Sequence, residues 1–347
     1  MAKEKAGGYF TEKPRHDYFI MECEAHPIPA PGCLLDVTYF ADFAKFLQTT
    51  DACQRGTTGK IRTLDMSGEE FKVMPATQPE ALLWSMDRAG CDVSCCVPEF
   101  FYNTNNDSKP WMTNGLVQQY ADTYPDRLLA APNFTPSRRH MKDVLWEMEY
   151  FVKEKDCRCC KLYPPEERVP MNDPVMYPFW EKAQELGILV MIHTGMAYTY
   201  KGRTKNCQPL QLEDVCNEFF DVKILAYHMG WPWTDELCVL AGQFPNLYLG
   251  LSWTQHTIKW RPRFFAKLFG QAMLWCTADK IIWGCDGEPD HESIECFKKF
   301  QFPKDLQEDY GFKPITEDEK AKIFGINLAN LLRIEPKKRK KIYTKFK

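Results

Sequence analysis

The sequence lacks the long apolar runs and the charge bias that would point to a membrane or a nucleic acid. None of its apolar stretches approaches the roughly 20 residues that a membrane-spanning helix needs. Its 44 basic and 47 acidic residues leave a formal net charge of −3, so no field of one sign favours a nucleic-acid or membrane partner. Met1–Pro14 is polar and contains no apolar core, so we expect no secretory signal.

Cysteine, in contrast, is abundant. The chain has 15 cysteines, an odd number, and several lie inside apolar runs, as in Cys95–Cys96 and Cys159–Cys160. Thiols in such runs fit a reduced protein interior better than a disulfide framework, so we expect a cytoplasmic protein. The segment Cys157-Arg-Cys-Cys160 has the Cys-x-x-Cys spacing. It has no second pair and sits on a predicted strand, so we assign it no zinc or redox role.

Eight apolar runs rich in β-forming residues alternate with helical patterns along the chain. Such alternation predicts a parallel sheet with crossover helices, and eight units favour closure into a distorted (β/α)8 TIM barrel. A doubly wound open sheet is the alternative fold, but no run is followed by the Gly-x-Gly-x-x-Gly of its nucleotide-binding members. The predicted strands are Tyr18–Cys23, Asp92–Pro98, Arg127–Pro132, Asp156–Tyr163, Ile188–His193, Lys223–His228, Leu247–Ser252 and Lys280–Asp286.

The remaining segments divide the chain around this barrel. We predict an N-terminal tail over residues 1–16, the barrel over 17–334, and a basic, solvated C-terminal tail over 335–347. An insertion over about residues 27–78, after the first strand, is punctuated by proline and glycine. Because long irregular segments in compact enzymes are usually lids or binding loops, we expect it to lie over or beside the barrel mouth.

Several predicted strands open into, or end at, a side chain that binds metals or carries protons. The carboxyl ends of barrel strands are where catalytic groups gather. Glu24 and His26 follow the first strand two residues apart, so in an extended chain they share a face. His193 ends the fifth strand and Asp286 ends the eighth. Mixed nitrogen and oxygen donors suit Zn or Mn, so we expect these four residues to bind one divalent ion.

His228 ends the sixth predicted strand and is the remaining imidazole of this group. It would lie beside the ion and transfer protons near neutral pH, a task that Asp286 could share. A lone histidine in an apolar run is usually a hydrogen-bonded core residue, but the repeated strand-end position argues for function here. Glu22 shares the parity of Glu24 but lies deeper, so it is either a structural partner or a ligand.

Five further side chains are candidate substrate contacts. Lys161, at the mouth of the fourth strand, would touch the substrate or form a structural ion pair. Arg55 and Arg62, in the insertion, could grip a carboxylate through paired hydrogen bonds, or lie on the surface. Trp253 and His256 follow the seventh strand and are candidate pocket walls, with core packing as the alternative for the tryptophan.

From Tyr18 to Ile334 the chain resembles the amidohydrolase-2 branch of the amidohydrolase superfamily, which includes aminocarboxymuconate-semialdehyde and γ-resorcylate decarboxylases. The resemblance implies one divalent metal bound by Glu24, His26, His193 and Asp286, with His228 in catalysis. It rests on the order and spacing of Glu24-Ala-His26, Met86–Val93, Tyr124–Leu128, Lys161–Pro164, Ile192–Thr194, His228–Trp231, Trp283–Asp286 and Lys322–Ala329.

Two hypotheses on function follow from this resemblance and from the candidate site. The first is non-oxidative decarboxylation of a hydroxylated aromatic or unsaturated cyclic carboxylic acid. The second is hydrolysis of a lactone, amide or cyclic dione by water activated at the ion. A non-enzymatic scaffold would be expected to lack a ligand, and none is missing. We expect a small-molecule substrate, no nucleic-acid or membrane partner, and a homo-oligomer of two or more copies.

Overall fold

All eight predicted strands are present in the structure, each within a few residues of its expected position. The computed structural model describes residues 9–10, 17–27, 79–98, 100–101, 109–110, 113–197 and 202–345, so most of the predicted insertion lies outside the described residues. The strands are β1 Met21–Ala25, β2 Val93–Cys96, β3 Phe100–Phe101, β4 Lys109–Pro110, β5 Leu128–Ala130, β6 Cys159–Leu162, β7 Leu189–Ile192, β8 Lys223–Ala226, β9 Leu247–Gly250 and β10 Ile281–Ile282.

The strands of the barrel pair in parallel and in chain order. β1, β2 and β5 form a three-stranded sheet, and β6 to β10 form a five-stranded one. Backbone hydrogen bonds join the sheets at both seams: Lys161 N–H donates to Pro132 O at 2.9 Å, and Gly287 N–H donates to Glu24 O at 3.1 Å. The strand ladder is thus interrupted twice, as expected of a distorted barrel. The antiparallel pair β3–β4 was not predicted.

Helices follow the strands and cover the outside of the barrel. None of the described helices combines the length and the apolar character needed to cross a membrane. The helices are α1 Glu80–Ala89, α2 Asn114–Thr123, α3 Met141–Lys155, α4 Tyr177–Leu186, α5 Gln211–Glu218, α6 Thr234–Gln243, α7 Thr257–Trp260, α8 Pro262–Trp275, α9 His291–Lys299, α10 Lys304–Tyr310, α11 Glu317–Ala321 and α12 Asn327–Leu332, with a π-helical turn at Lys322–Ile326 between the last two.

Apolar side chains pack in two layers because successive residues of a strand point to opposite faces. One layer joins the strands to the surrounding helices and includes Trp180, Phe269 and Phe297. The other fills the barrel interior with side chains such as Cys95 and Met191. The interior is therefore a packed core, and the open end above it holds the candidate site.

The C-terminal segment returns to the opposite end of the barrel, where the strands begin. Asp87 is fully buried, and its Oδ1 accepts a hydrogen bond from the Arg127 guanidinium at 2.8 Å. Its Oδ2 accepts the backbone N–H groups of Ile342 and Tyr343 at 2.7 and 2.8 Å. Hydrogen bonds therefore tie this segment to the body of the protein, while most side chains of residues 335–345 are exposed, and a separate C-terminal tail over 335–347 stays a prediction.

Candidate metal centre

Three of the four predicted metal ligands lie together at the carboxyl ends of the first and last strands. Ligand atoms of Glu24, His26 and Asp286 all lie within 4.8 Å of one another. His26 Nε2 is 3.2 Å from Asp286 Oδ1 and 3.6 Å from Glu24 Oε1. One imidazole nitrogen and two carboxylates form a donor set that fits a single divalent ion of the Zn or Mn type and leaves coordination positions open.

A bulge in β1 directs Glu24 toward this centre. Glu22 pairs with Ser94 and Ala25 pairs with Cys96, so Cys23 and Glu24 together oppose one residue of β2. A bulge of this kind bends the strand and re-aims a side chain, and such bulges are common beside active sites. In a regular strand, side chains two residues apart, such as those of Glu22 and Glu24, point to the same face. The bulge between them breaks this alternation, so the two side chains no longer share a face.

Lys161 lies beneath Glu24 in the barrel interior. Its ammonium contacts Glu24 Oε1, and the two side chains are 0% and 1% exposed. The same ammonium lies 3.6 Å from the centre of the Tyr227 ring, a favourable cation–π arrangement. Burial alone would raise the pKa of Glu24, but the charge of Lys161, followed by that of His228, holds it well below its ordinary value. Lys161 thus forms the ion pair that was one of its two expected roles.

Ser252 is a member of the site that the sequence analysis missed. Its hydroxyl donates to Glu24 Oε2, and its carbonyl accepts from His228 Nδ1 at 3.0 Å. Ser252 stands just beyond the end of β9, the position that His193 and His228 occupy after their own strands. That shared position was the available signal, but a serine there carries no metal-ligand or acid–base signature.

His193 and His228 contact each other directly. His193 Nδ1 lies 2.8 Å from His228 Nε2, and His193 Nε2 lies 2.8 Å from Met196 O. Among the described residues, His193 is not part of the group that Glu24, His26 and Asp286 form. His228 Nε2 lies 4.0 Å from Glu24 Oε2, so this ring faces the centre.

Proton counting describes the state of this histidine pair. Backbone carbonyls only accept hydrogen bonds, so His193 Nε2 and His228 Nδ1 must each carry a proton. The contact between the two rings needs a third proton, whereas two neutral imidazoles carry only two. Burial, followed by the charge of His228, lowers the pKa of His193 well below its ordinary value.

The other four predicted substrate contacts are Trp253, His256, Arg55 and Arg62, and the structure describes the first two. Trp253 is half-buried, and its ring centre lies 6.2 Å from that of Trp231. Both ring nitrogens of His256 are engaged, Nδ1 with Asp290 at 2.9 Å and Nε2 with the Cys285 carbonyl at 2.8 Å, which leaves neither for a substrate. The predicted contacts Arg55 and Arg62 lie outside the described residues.

Carboxylates and an imidazole that could hold one ion at the mouth of a (β/α)8 barrel are typical of metal-dependent barrel enzymes. The family model described as amidohydrolase, for the second branch of these proteins, matches residues 23–334. The chain belongs to this family, which confirms the resemblance read from its sequence motifs. A sequence search of curated proteins finds no match.

Solved structures of the same fold cover most of the chain. An uncharacterised TIM-barrel protein from Bordetella bronchiseptica is 20% identical with a TM-score of 0.63, covering 90% of this chain and 98% of its own. The 2,6-dihydroxybenzoate decarboxylase from Rhizobium is 13% identical with a TM-score of 0.58, covering 91% and 99%. The 5-carboxyvanillate decarboxylase from Novosphingobium aromaticivorans, in complex with manganese, is 11% identical with a TM-score of 0.56, covering 91% and 96%.

Proposed function

We propose that this protein is a metal-dependent decarboxylase of a hydroxylated aromatic or unsaturated cyclic carboxylic acid. The observation that carries the proposal is the group of Glu24, His26 and Asp286 with His228 facing it. Support comes from family membership and from two decarboxylases of hydroxylated aromatic acids that share the fold, one of them with manganese.

Glu24, His26 and Asp286 would hold one Zn or Mn ion. His193, the fourth predicted ligand, would join them by exchanging its contact with His228 for the ion. The bound ion supplies a positive charge that orients the substrate carboxylate and its neighbouring oxygen and offsets developing negative charge. Ser252 fixes one oxygen of Glu24 and Lys161 fixes the other, so this ligand is held in place before the ion arrives.

His228 would move the proton that the reaction needs. Its Nδ1 is held by the Ser252 carbonyl, which leaves Nε2 as the atom that faces the site. When the bond between the ring carbon and the carboxylate breaks, carbon dioxide leaves and the electron pair remains on the carbon. That carbon takes the proton from His228 Nε2. Asp286, whose side chain is 29% exposed, is the other group positioned to carry it.

Hydrolysis of a lactone, amide or cyclic dione is the second candidate function. The observation that favours it is the partial exposure of Asp286, a carboxylate that water can reach directly. In that reaction Asp286 would accept a proton from the attacking water, and His228 would donate one to the leaving atom. The two functions use the same residues and differ in whether water enters the product.

An isotope experiment separates the two functions. Metal-loaded protein is incubated in ¹⁸O-water with a panel of carboxyl-¹³C hydroxybenzoic acids, lactones and cyclic diones, with Glu24→Gln as the inactive control. We expect labelled carbon dioxide and an organic product without ¹⁸O. Incorporation of ¹⁸O into the organic product without carbon dioxide would identify a hydrolase instead. No turnover of any panel member by fully loaded protein would contradict both.

We also propose that the protein is a cytoplasmic homo-oligomer acting on a small molecule. Twelve buried cysteines without disulfides fit a reducing compartment. Exposed apolar side chains on α6 and α8, Val239, Leu274 and Trp275, are of the kind that subunit contacts cover. Light scattering after size-exclusion chromatography is expected to give a mass above the 40.5 kDa of one chain, and a mass of one chain would contradict the proposal.

A further inference from the structure

Asp286 has an unusual backbone conformation for a metal ligand that must be placed accurately. Its φ angle is +59°, in the left-handed region that residues other than glycine seldom adopt. Such a conformation persists when neighbouring groups hold it. Side chains outside the donor set hold the residue before it, Cys285: Glu22 at 2.7 Å, His256 at 2.8 Å and, at a longer 3.3 Å, Gln255.

Glu22 holds the amino side of Cys285. Its carboxylate is fully buried, and Oε1 accepts the N–H of Cys285 at 2.7 Å. The same oxygen accepts the N–H of Glu24 at 2.9 Å. One oxygen atom therefore joins the first strand to the loop after the last strand, and each of these segments delivers a carboxylate to the metal centre.

His256 holds the carbonyl side of Cys285. Its Nε2 lies 2.8 Å from Cys285 O, in the peptide group that leads into Asp286. Its Nδ1 lies 2.9 Å from Asp290 Oδ2, an atom that also accepts from Ser293 Oγ at 2.7 Å. The Asp290 side chain therefore fixes the ring, and the ring fixes the orientation of the peptide group.

We propose that Glu22 and His256 are positioning residues that clamp the two peptide groups of Cys285 and so set the place of the Asp286 carboxylate in the metal centre. This inference rests on the metal centre proposed above. Residues that orient a metal ligand without touching the ion contribute strongly to metal affinity, because binding depends on accurate placement of the ligand atoms. The clamp acts on the backbone, so it leaves the Asp286 side chain open toward the substrate.

A second feature separates the clamp from ordinary core packing. The other oxygen of Glu22, Oε2, is buried and has no nitrogen or oxygen donor within the part of the chain that the structure describes, where only the thiol of Cys285 lies beside the carboxylate. Burying a polar oxygen without a partner is unfavourable, and an apolar side chain would serve the core better at this position. The presence of a carboxylate at position 22 is therefore explained by the two N–H groups, those of Glu24 and Cys285, that its Oε1 accepts.

Metal titration of matched variants tests the clamp without any need for turnover. Glu22→Gln keeps an oxygen that accepts both N–H groups, whereas Glu22→Met has none. His256→Gln keeps a donor for the Cys285 carbonyl, whereas His256→Phe has none. For each variant and the wild type, the dissociation constant for Co²⁺, the visible spectrum of the Co²⁺ complex and the Tm are measured.

We expect Glu22→Met and His256→Phe to bind Co²⁺ about 10- to 100-fold more weakly, the range that residues behind metal ligands typically contribute. Their Co²⁺ spectra should change, because the spectrum reports ligand geometry. Glu22→Gln and His256→Gln should retain affinities close to wild type. If Glu22→Met does not fold, His256→Phe and the two glutamine variants still decide the outcome.

Two results would overturn the proposal. Lower Tm values with unchanged Co²⁺ affinity and spectra would make both side chains merely structural. Loss of affinity in the glutamine variants equal to that in Met and Phe would show that hydrogen bonding to Cys285 is not the cause. Wild-type protein that binds no Co²⁺, Mn²⁺ or Zn²⁺ would overturn the proposed metal centre itself. Normal metal binding by the wild type and by every variant would instead overturn only the roles of Glu22 and His256.

Discussion

The ammonium of Lys161 contacts the carboxylate of Glu24, the residue of the first strand that we propose as a metal ligand. Both side chains are almost completely buried, so each charge depends on the other in the absence of an ion. Because a buried charge without a partner is strongly unfavourable, the pair keeps Glu24 ionised and ready to bind. We therefore expect Lys161 to act on the metal centre through Glu24, the proposed ligand.

Lys161→Met should therefore destabilise the metal-free protein. Breaking one side of a buried ion pair typically costs about 3–5 kcal/mol, because the remaining charge is left unpaired. Added Mn²⁺ should restore more stability in this variant than in the wild type, since the ion replaces the lost positive charge. Denaturant unfolding with and without Mn²⁺ measures both effects.

Lys155→Met is the matched control for that measurement. Lys155 pairs with Asp122 at 3.4 Å on the protein surface, so its loss should cost only about 0–1 kcal/mol. If Lys161→Met lost equal stability with and without Mn²⁺, the coupling between the ion pair and the metal centre would be refuted.

His26→Ala and His193→Ala should both lose metal and activity together if the sequence-based ligand set is right. His26 lies within the donor group, so we expect its loss to weaken binding at least about tenfold. His193 lies against His228 and must turn to reach an ion. Metal analysis after dialysis, with turnover measured on the same samples, compares the two. Full metal content with lowered kcat in His193→Ala would instead make His193 a residue that orients His228.

His228→Ala should keep its metal and lose turnover. The predicted ligands remain intact, whereas general acid–base groups typically contribute about 10²- to 10⁴-fold to rate. The loss should appear in kcat, because the proton is transferred in the transition state. His140→Ala, at an exposed position, serves as the control for histidine loss. A metal-loaded, stable and fully active His228→Ala protein would refute the catalytic role.

Asp87→Ala should unfold more easily without changing the chemistry. The substitution leaves the Arg127 guanidinium and the two N–H groups of the returning segment without their buried acceptor. We expect a loss of about 3–5 kcal/mol in the free energy of unfolding. Asp305→Ala, which removes a surface pair with Arg263, should change it by about 0–1 kcal/mol. A kcat per bound metal below that of the wild type would contradict the purely structural role.

Glu167 should make stability fall as pH rises toward neutrality. Burial raises the pKa of this carboxyl from 4.5 to about 7, although hydrogen bonds from Ser137 oppose the shift. Between these values the folded state binds more protons than the unfolded state, so the Glu167 contribution to stability is full below pH 4.5 and is lost as pH rises through about 7. Glu167→Gln should flatten unfolding free energy against pH in that window. Identical slopes in both proteins would contradict this assignment.

The features that could be predicted from the sequence are those that one segment of the chain determines by itself. Strands such as β7 and β10 are continuous apolar runs, and a buried parallel strand has this pattern. Strand-end position was enough to bring Glu24, His26 and Asp286 together, because parallel strands end at the same rim.

The remaining features depend on relationships between segments. The bulge in β1 arises from pairing two residues against one of β2, and this count is not visible in either strand alone. The contact of Ser252 with Glu24 and that of His256 with Cys285 depend on how loops from different strands meet. The return of the C-terminal segment to Asp87 is set by a contact 255 positions away in sequence.

The burial of the cysteine thiols determines how they react with alkylating reagents in solution. Twelve of the 13 cysteines that the structure describes are buried, and burial raises the pKa of thiols such as Cys23 and Cys160, and that of Cys91 to about 12. Alkylating reagents attack the thiolate, so these sites react only when the surrounding strands separate. The order in which the cysteines become alkylated would therefore report which strands separate first during local unfolding. The native cysteines serve as the probes, so none has to be introduced by mutation.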